Sequence, residues 1–146
     1  MGSEMCIRDR QYAEVTLKTL KDLNCELQSE PGRWLVAHAG VLLTQVQYVK
    51  KTSVKSFVIV DAGMNHLIRP SLYEAEHRIL PLAKGSSEGT FDVVGPICES
   101  SDFFLKDYKM PVVKEGDFLA VLDGGAYGYS MASNYNLQEL PLEICI

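Results

Sequence analysis

Short runs of β-branched and aromatic residues, each closed by Gly, Pro or Asp, dictate the kind of fold open to this chain. Val41 to Lys50 (VLLTQVQYVK) and Ser56 to Asp61 (SFVIVD) are joined by the polar Lys51-Thr52-Ser53, and similar runs recur at Phe91 to Val94, Phe118 to Leu122 and Leu142 to Ile146. Such side chains suit a pleated, half-buried surface, and the turn formers between them cut the chain into strand lengths. Everything after residue 40 reads as mainly β, a Greek-key sandwich or barrel. One helical insert interrupts it, at Ile68 to Ile79 (IRPSLYEAEHRI).

The chain before residue 40 has a different character. Gln11 to Leu23 is helical in composition, with Tyr12, Val15, Leu20 and Leu23 on a rough apolar face. Cys25 to Gln28 comes next as a short strand, and Glu30-Pro31-Gly32-Arg33 as a turn. Helix, strand and turn in that order look like one repeat of a larger α/β unit whose missing part lies upstream. Met1 to Arg10 (MGSEMCIRDR) fits poorly with the residues after it; it resembles a translated sequencing-adapter remnant and is set aside from fold reasoning. If Trp34 to Ala39 opens as a short helix, Gly32 and Arg33 lie at its N-terminus, where free N–H groups and a cation suit a phosphate. The alternative is an ordinary turn with a surface Arg.

With 146 residues the chain is large enough for one domain with a real core and no disulfides. A formal net charge of -5, with no run of Lys and Arg, argues against a nucleic-acid surface. No apolar stretch approaches a membrane span. Cys6, Cys25, Cys98 and Cys145 are widely spaced and form no metal-ligand cluster with His, so a reducing cytoplasm is the simplest setting and no metal is expected. An organelle stays open, since a targeting segment could precede the start.

Chemistry concentrates in Gly95-Pro96-Ile97-Cys98-Glu99-Ser100-Ser101-Asp102, which sets a thiol beside a carboxylate in a turn-forming loop. A lone loop Cys is more often an unremarkable thiol. In the helical insert, Arg69 and Tyr73 fall four residues apart, on one helix face. Beyond Phe118 to Leu122 comes Asp123-Gly124-Gly125-Ala126-Tyr127-Gly128, whose glycines indicate backbone held close to a ligand or bulges in a strand.

Taken together, EPGR at 30 to 33, VDAGMN…IRPSLY at 60 to 73, GPICESSD at 95 to 102 and GDFLAV…GAYGYSMASNYN at 116 to 136 resemble the C-terminal portion of the diaminopimelate decarboxylases. These are pyridoxal-phosphate enzymes of the alanine-racemase-like fold type, and the resemblance covers nearly all of residues 11 to 146. It implies that residues 11 to 40 are the end of a (β/α)8 barrel and 41 to 146 the C-terminal β domain. The Schiff-base lysine and a cofactor-stacking His would lie in barrel segments that this chain does not contain, both ends would be truncated, and the fragment alone would be inactive.

The same resemblance assigns roles residue by residue. Glu30, Pro31, Gly32 and Arg33 should contact the pyridoxal 5'-phosphate, with Arg33 also reaching substrate. Arg69 and Tyr73 should bind the carboxylate at the non-reacting end of the substrate, Glu99 its ammonium, and Cys98 should donate the proton. Tyr127 should touch cofactor and substrate. A homodimer with shared sites is implied, the Cys98 loop reaching into the partner's barrel. The chemistry is coherent, since a substrate with an amino-acid group at each end needs both a guanidinium fork and an anion.

Relatives acting on ornithine or arginine, which lack the far carboxylate, tend to carry Cys-Asp where this chain has Cys98-Glu99. A non-catalytic homologue that only binds a partner is a further alternative, and neither Cys98 nor Gly32-Arg33 is lost as it would require. His66 stands where an acidic residue is more usual. His38 and His77 show no chemical partner in the sequence and read as surface or packing residues, while Cys25 and Cys145 read as buried thiols.

Overall fold

A computed structural model describes residues 2–83, 85 and 87–146, with side chains from residue 10 onward. The chain divides into two compact units, Met1–Glu30 and Pro31–Ile146.

The first unit is built on one helix, α1 (Gly2–Leu20). It runs back through the residues set aside in the sequence reading, because nothing in that stretch, neither Pro nor a turn cluster, stops a helix. The expected apolar face is not covered: Tyr12, Val15 and Leu23 are exposed. The strand expected at Cys25 to Gln28 is absent, and Cys25 is exposed rather than buried. A single short strand without a hydrogen-bonding neighbour leaves its backbone groups unpaired, so local composition alone cannot hold it.

The second unit opens with α2 (Gly32–Val36), continued by a 3-10 turn at Ala37–Ala39. Six strands come after it: β1 (Leu42–Lys51), β2 (Ser56–Val60), β3 (Ile79–Pro81), β4 (Glu88–Val94), β5 (Phe103–Pro111) and β6 (Phe118–Val121). They form one sheet in the order β3-β6-β1-β2-β4-β5. All pairings are antiparallel except β2 with β4. The two ends of that order meet, where the Tyr108 hydroxyl on β5 donates to the Ile79 carbonyl on β3 at 3.1 Å. The sheet is therefore curled into a nearly closed barrel, and the mainly β reading holds.

The barrel interior is filled from inward-facing positions of every strand. Val46, Val58, Val60, Ile79, Phe91, Val93, Phe104, Met110, Leu119 and Val121 form one buried cluster with Ala62, Leu67 and Val113. Fully burying one such Val, Leu or Ile contributes about 1.5–3 kcal/mol. Near the outer edge of this core, Asp92 on β4 accepts from Lys55 Nζ at 2.9 Å and from the Asp107 N–H at 2.7 Å.

Three elements depart from the sequence expectations. β5 lies in a stretch with no clear strand pattern; its alternation is broken by Asp107, whose φ of 50° lets the chain bulge so that paired register shifts between Phe91 and Val93. The insert is helical only over α3 (Arg69–Tyr73), ended by Glu74 in the left-handed region, and Ile79 belongs to β3. Leu142 to Ile146 forms no strand, and Cys145 is exposed. No strand pairs with that segment, so its apolar composition alone does not make it a strand.

Candidate active site

The Cys98 loop is held by Asp102. Its Oδ2 accepts from the Ile97 N–H at 2.6 Å and its Oδ1 from the Met64 N–H at 2.7 Å. The carboxylate thus bridges its own loop to the segment after β2. Gly95 makes this possible, because a Cβ there would lie 2.5 Å from Asp102 Oδ2. Burial pushes the Asp102 carboxyl up from its ordinary value, against the two N–H bonds that favour its charge. Held this way, Cys98 and Glu99 are both exposed at the loop's outer side.

Glu99 is not free there. The Tyr135 hydroxyl donates to Glu99 Oε1 at 2.5 Å, and the carboxylate's acceptance of that bond raises the tyrosine above its ordinary value. Tyr135 reaches Glu99 because its segment is tied back to the barrel, the Ser133 N–H donating to the Asn65 carbonyl at 2.8 Å. Asn65 itself is 2% exposed.

α3 is joined to the same loop. The Ser71 hydroxyl donates to the Ser101 carbonyl at 2.5 Å, so the helix bearing Arg69 and Tyr73 lies beside the loop bearing Cys98 and Glu99. Tyr73 is 60% exposed. Arg69 is half-buried, and its Nη1 lies 3.3 Å from Nε2 of His77. His77 is buried, in line with the packing alternative, and it has partners that the sequence did not reveal, since it bonds at both ring nitrogens, the second to the Leu122 carbonyl at 2.8 Å.

Pro31, Gly32 and Arg33 lie at the start of α2, whose far end is tied to the loop that bears Tyr127. Gly125 seats directly on the 3-10 turn, and a Cβ on it would lie 2.2 Å from the Val36 carbonyl oxygen. Its N–H donates to the Ala37 carbonyl at 3.0 Å, while that of Gly124 donates to Gly40 at 2.8 Å. The glycines therefore mark backbone meeting backbone, and they lock the end of α2 to the loop that presents Tyr127, itself at φ 58°. His38 also bonds across this junction, to Asp123, so it too has a partner that the sequence did not reveal.

Gly32 and Arg33 open α2, as the short-helix reading requires. No side chain caps this helix, and a Cβ on Gly32 would meet nothing within 4 Å. Among the described residues Arg33 has no carboxylate partner within salt-bridge distance. Uncapped N–H groups, open space and a cation with no carboxylate partner suit a phosphate, so the residues present fit the cofactor. Glu30 falls in the other compact unit. No hydrogen bond among the described residues joins Arg33 or Tyr127 to Cys98, and the cavity of about 760 Å³ between Val36, His66, Gly125, Tyr129 and Ile144 includes none of the expected site residues.

The barrel-like sheet places the chain among β domains that pack a nearly closed sheet around one core. Residues 14–125 match the family model for the pyridoxal-dependent decarboxylase C-terminal sheet domain, and the chain belongs to that family. It is 49% identical over 146 residues to the diaminopimelate decarboxylase of Helicobacter pylori, covering 99% of this chain and 36% of that protein. To the enzyme of the same name from Aquifex aeolicus it is 44% identical, over 94% of this chain and 33% of the relative. The solved H. pylori diaminopimelate decarboxylase complexed with L-lysine superposes with a TM-score of 0.70 at 52% identity, covering 86% of this chain and 31% of that one. The chain thus spans about a third of the length of the curated relatives it matches.

Proposed function

We propose that the complete protein is a pyridoxal-phosphate-dependent decarboxylase that converts meso-diaminopimelate to L-lysine in the cytoplasm, and that this chain supplies its substrate-recognising and proton-donating groups. The observation that carries this reading is the Ser71–Ser101 bond, which sets the Arg69 and Tyr73 helix beside the Cys98-Glu99 loop. A cation, an anion and an acid on adjoining elements are what a substrate with an amino-acid group at its far end requires. The strong identity to diaminopimelate decarboxylases over nearly the whole chain supports the same substrate.

When bound, pyridoxal phosphate supplies the electron sink that lets a carboxylate leave as carbon dioxide. The chain's own residues bind, orient and protonate. Gly32 N–H and the Arg33 guanidinium, next to Pro31, hold the cofactor's phosphate end, and Tyr127 contacts cofactor and substrate. Arg69 and Tyr73 fix the far carboxylate; Glu99, oriented by Tyr135, takes the ammonium beside it. Cys98 holds a proton at Sγ and delivers it to the carbon that has lost its carboxylate, on one face only. An ordinary thiol is protonated at neutral pH, the form this step needs.

The complete enzyme is a homodimer in this reading, residues 11–40 being the end of a cofactor-binding (β/α)8 barrel and 41–146 the C-terminal β domain. The exposure of Cys98, Glu99, Tyr73 and Tyr127 on this chain supports a site completed from outside it. The test is lysine formation from meso-diaminopimelate by the complete open reading frame supplied with pyridoxal phosphate, with ornithine run alongside. Lysine from diaminopimelate with no reaction of ornithine is expected. Activity on ornithine alone would move the protein to the sister branch.

A further inference from the structure

His77 is 1% exposed and lies between α3 and β3, with both ring nitrogens engaged. At one of them the partner is a carbonyl oxygen, Leu122 O at 2.8 Å from Nδ1. A carbonyl can only accept, so Nδ1 carries the proton. In a neutral imidazole this leaves Nε2 with its lone pair. That lone pair faces Arg69 Nη1 at 3.3 Å, and a guanidinium can only donate. The order of donation, Arg69 to His77 to Leu122, is therefore fixed by chemistry at both ends.

We propose that His77 is a positioning residue for substrate recognition, orienting the Arg69 guanidinium so that its remaining N–H donors face the far carboxylate. This rests on the carboxylate-binding role proposed for Arg69. His77 occupies one guanidinium nitrogen with a neutral acceptor, so it directs the fork without cancelling its charge. A carboxylate in the same place would neutralise the cation and compete with the ligand. Leu122 leads straight into Asp123 to Tyr127, so the same imidazole ties α3 to the foot of the loop that presents Tyr127.

The proposal is tested in the complete, cofactor-loaded enzyme by calorimetric titration with L-lysine, which keeps the far carboxylate, and with cadaverine, which has none. Arg69→Gln checks the underlying reading, by weakening L-lysine selectively. If it weakens neither ligand, or both equally, the carboxylate reading of Arg69 fails first. With that effect in place, His77→Leu should raise the Kd for L-lysine about tenfold, the scale of one hydrogen bond to a charged group, and leave cadaverine within about twofold. His77→Gln, whose amide can offer N–H to Leu122 and oxygen to Arg69, should recover part of the loss. Equal weakening of both ligands by His77→Leu, or no weakening of L-lysine, would overturn the proposal. Should His77→Leu fail to fold, the ¹⁵N shifts of the wild-type imidazole decide: the Nδ1–H tautomer is required, and Nε2–H would sink the idea.

Discussion

The candidate groups of this chain are held in place by neighbouring residues outside the proposed chemistry. Cys98 and Glu99 owe their place to Asp102, whose two oxygens each accept a backbone N–H, and Glu99 owes its orientation to Tyr135. Replacing Cys98 with Ala in the complete enzyme should lower turnover by about 10²-fold or more, the usual scale for a positioned acid, with cofactor binding unchanged. Near-normal turnover would remove Cys98 from the mechanism. The candidate residues stand out in the sequence because thiol, carboxylate and guanidinium fall in recognisable local patterns, and the structure places the Arg69 helix beside the Cys98 loop. Their supports do not stand out: Asp102 was visible only as the end of GPICESSD, and His77, Tyr135 and Asp123 meet their partners across 8, 36 and 85 positions. Local pattern carries no record of such pairings.

At the level of elements, the strands that read clearly were those with unbroken apolar runs, β1, β2, β4 and β6. β5 escaped because Asp107 sits in its middle, where a bulge admits it and Lys55 meets it. The expected strands at 25–28 and 142–146 failed for the opposite reason, since composition favoured them and no neighbouring strand did. Two outcomes belong to this scale. Gly125→Ala places a methyl on the Val36 carbonyl, so the Tyr127 loop must move; we expect a loss of about 1–3 kcal/mol of stability by denaturant unfolding, and an unchanged midpoint would mean that the close approach is easily relaxed.

The second outcome concerns acid. Burial disfavours the charge on Asp92, but the Asp107 N–H and then Lys55 outweigh it and hold the carboxyl below its ordinary value of 3.8. A folded value below the unfolded one means that the folded state gives up this proton more readily. The stability it contributes is present above 3.8 and is lost as pH falls through the lower folded value. Asp102, with its value raised, works in the other direction, its contribution fading as pH rises through that value. The melting temperature of Asp92→Asn should accordingly fall less between neutral pH and pH of about 3 than that of the wild type. An unchanged fall would assign the acid sensitivity elsewhere.

For the whole molecule the proposed reading divides the site: no hydrogen bond among the described residues links Arg33 or Tyr127 to Cys98, and the proposed homodimer would bring them together across two subunits. Mixing Cys98→Ala protein with a variant lacking the Schiff-base lysine should raise activity above that of either variant alone once subunits exchange. No recovery after verified exchange would exclude a shared site. The backbone seat of Gly125 on Val36 and Ala37 bears on a different matter, the recombination of decarboxylase genes. A crossover between codons 30 and 31 passes both halves of that seat to the offspring together. A crossover between codons 40 and 41 draws them from different parents, and such a chimera will fold only where both ancestors trace the same main-chain path through that turn.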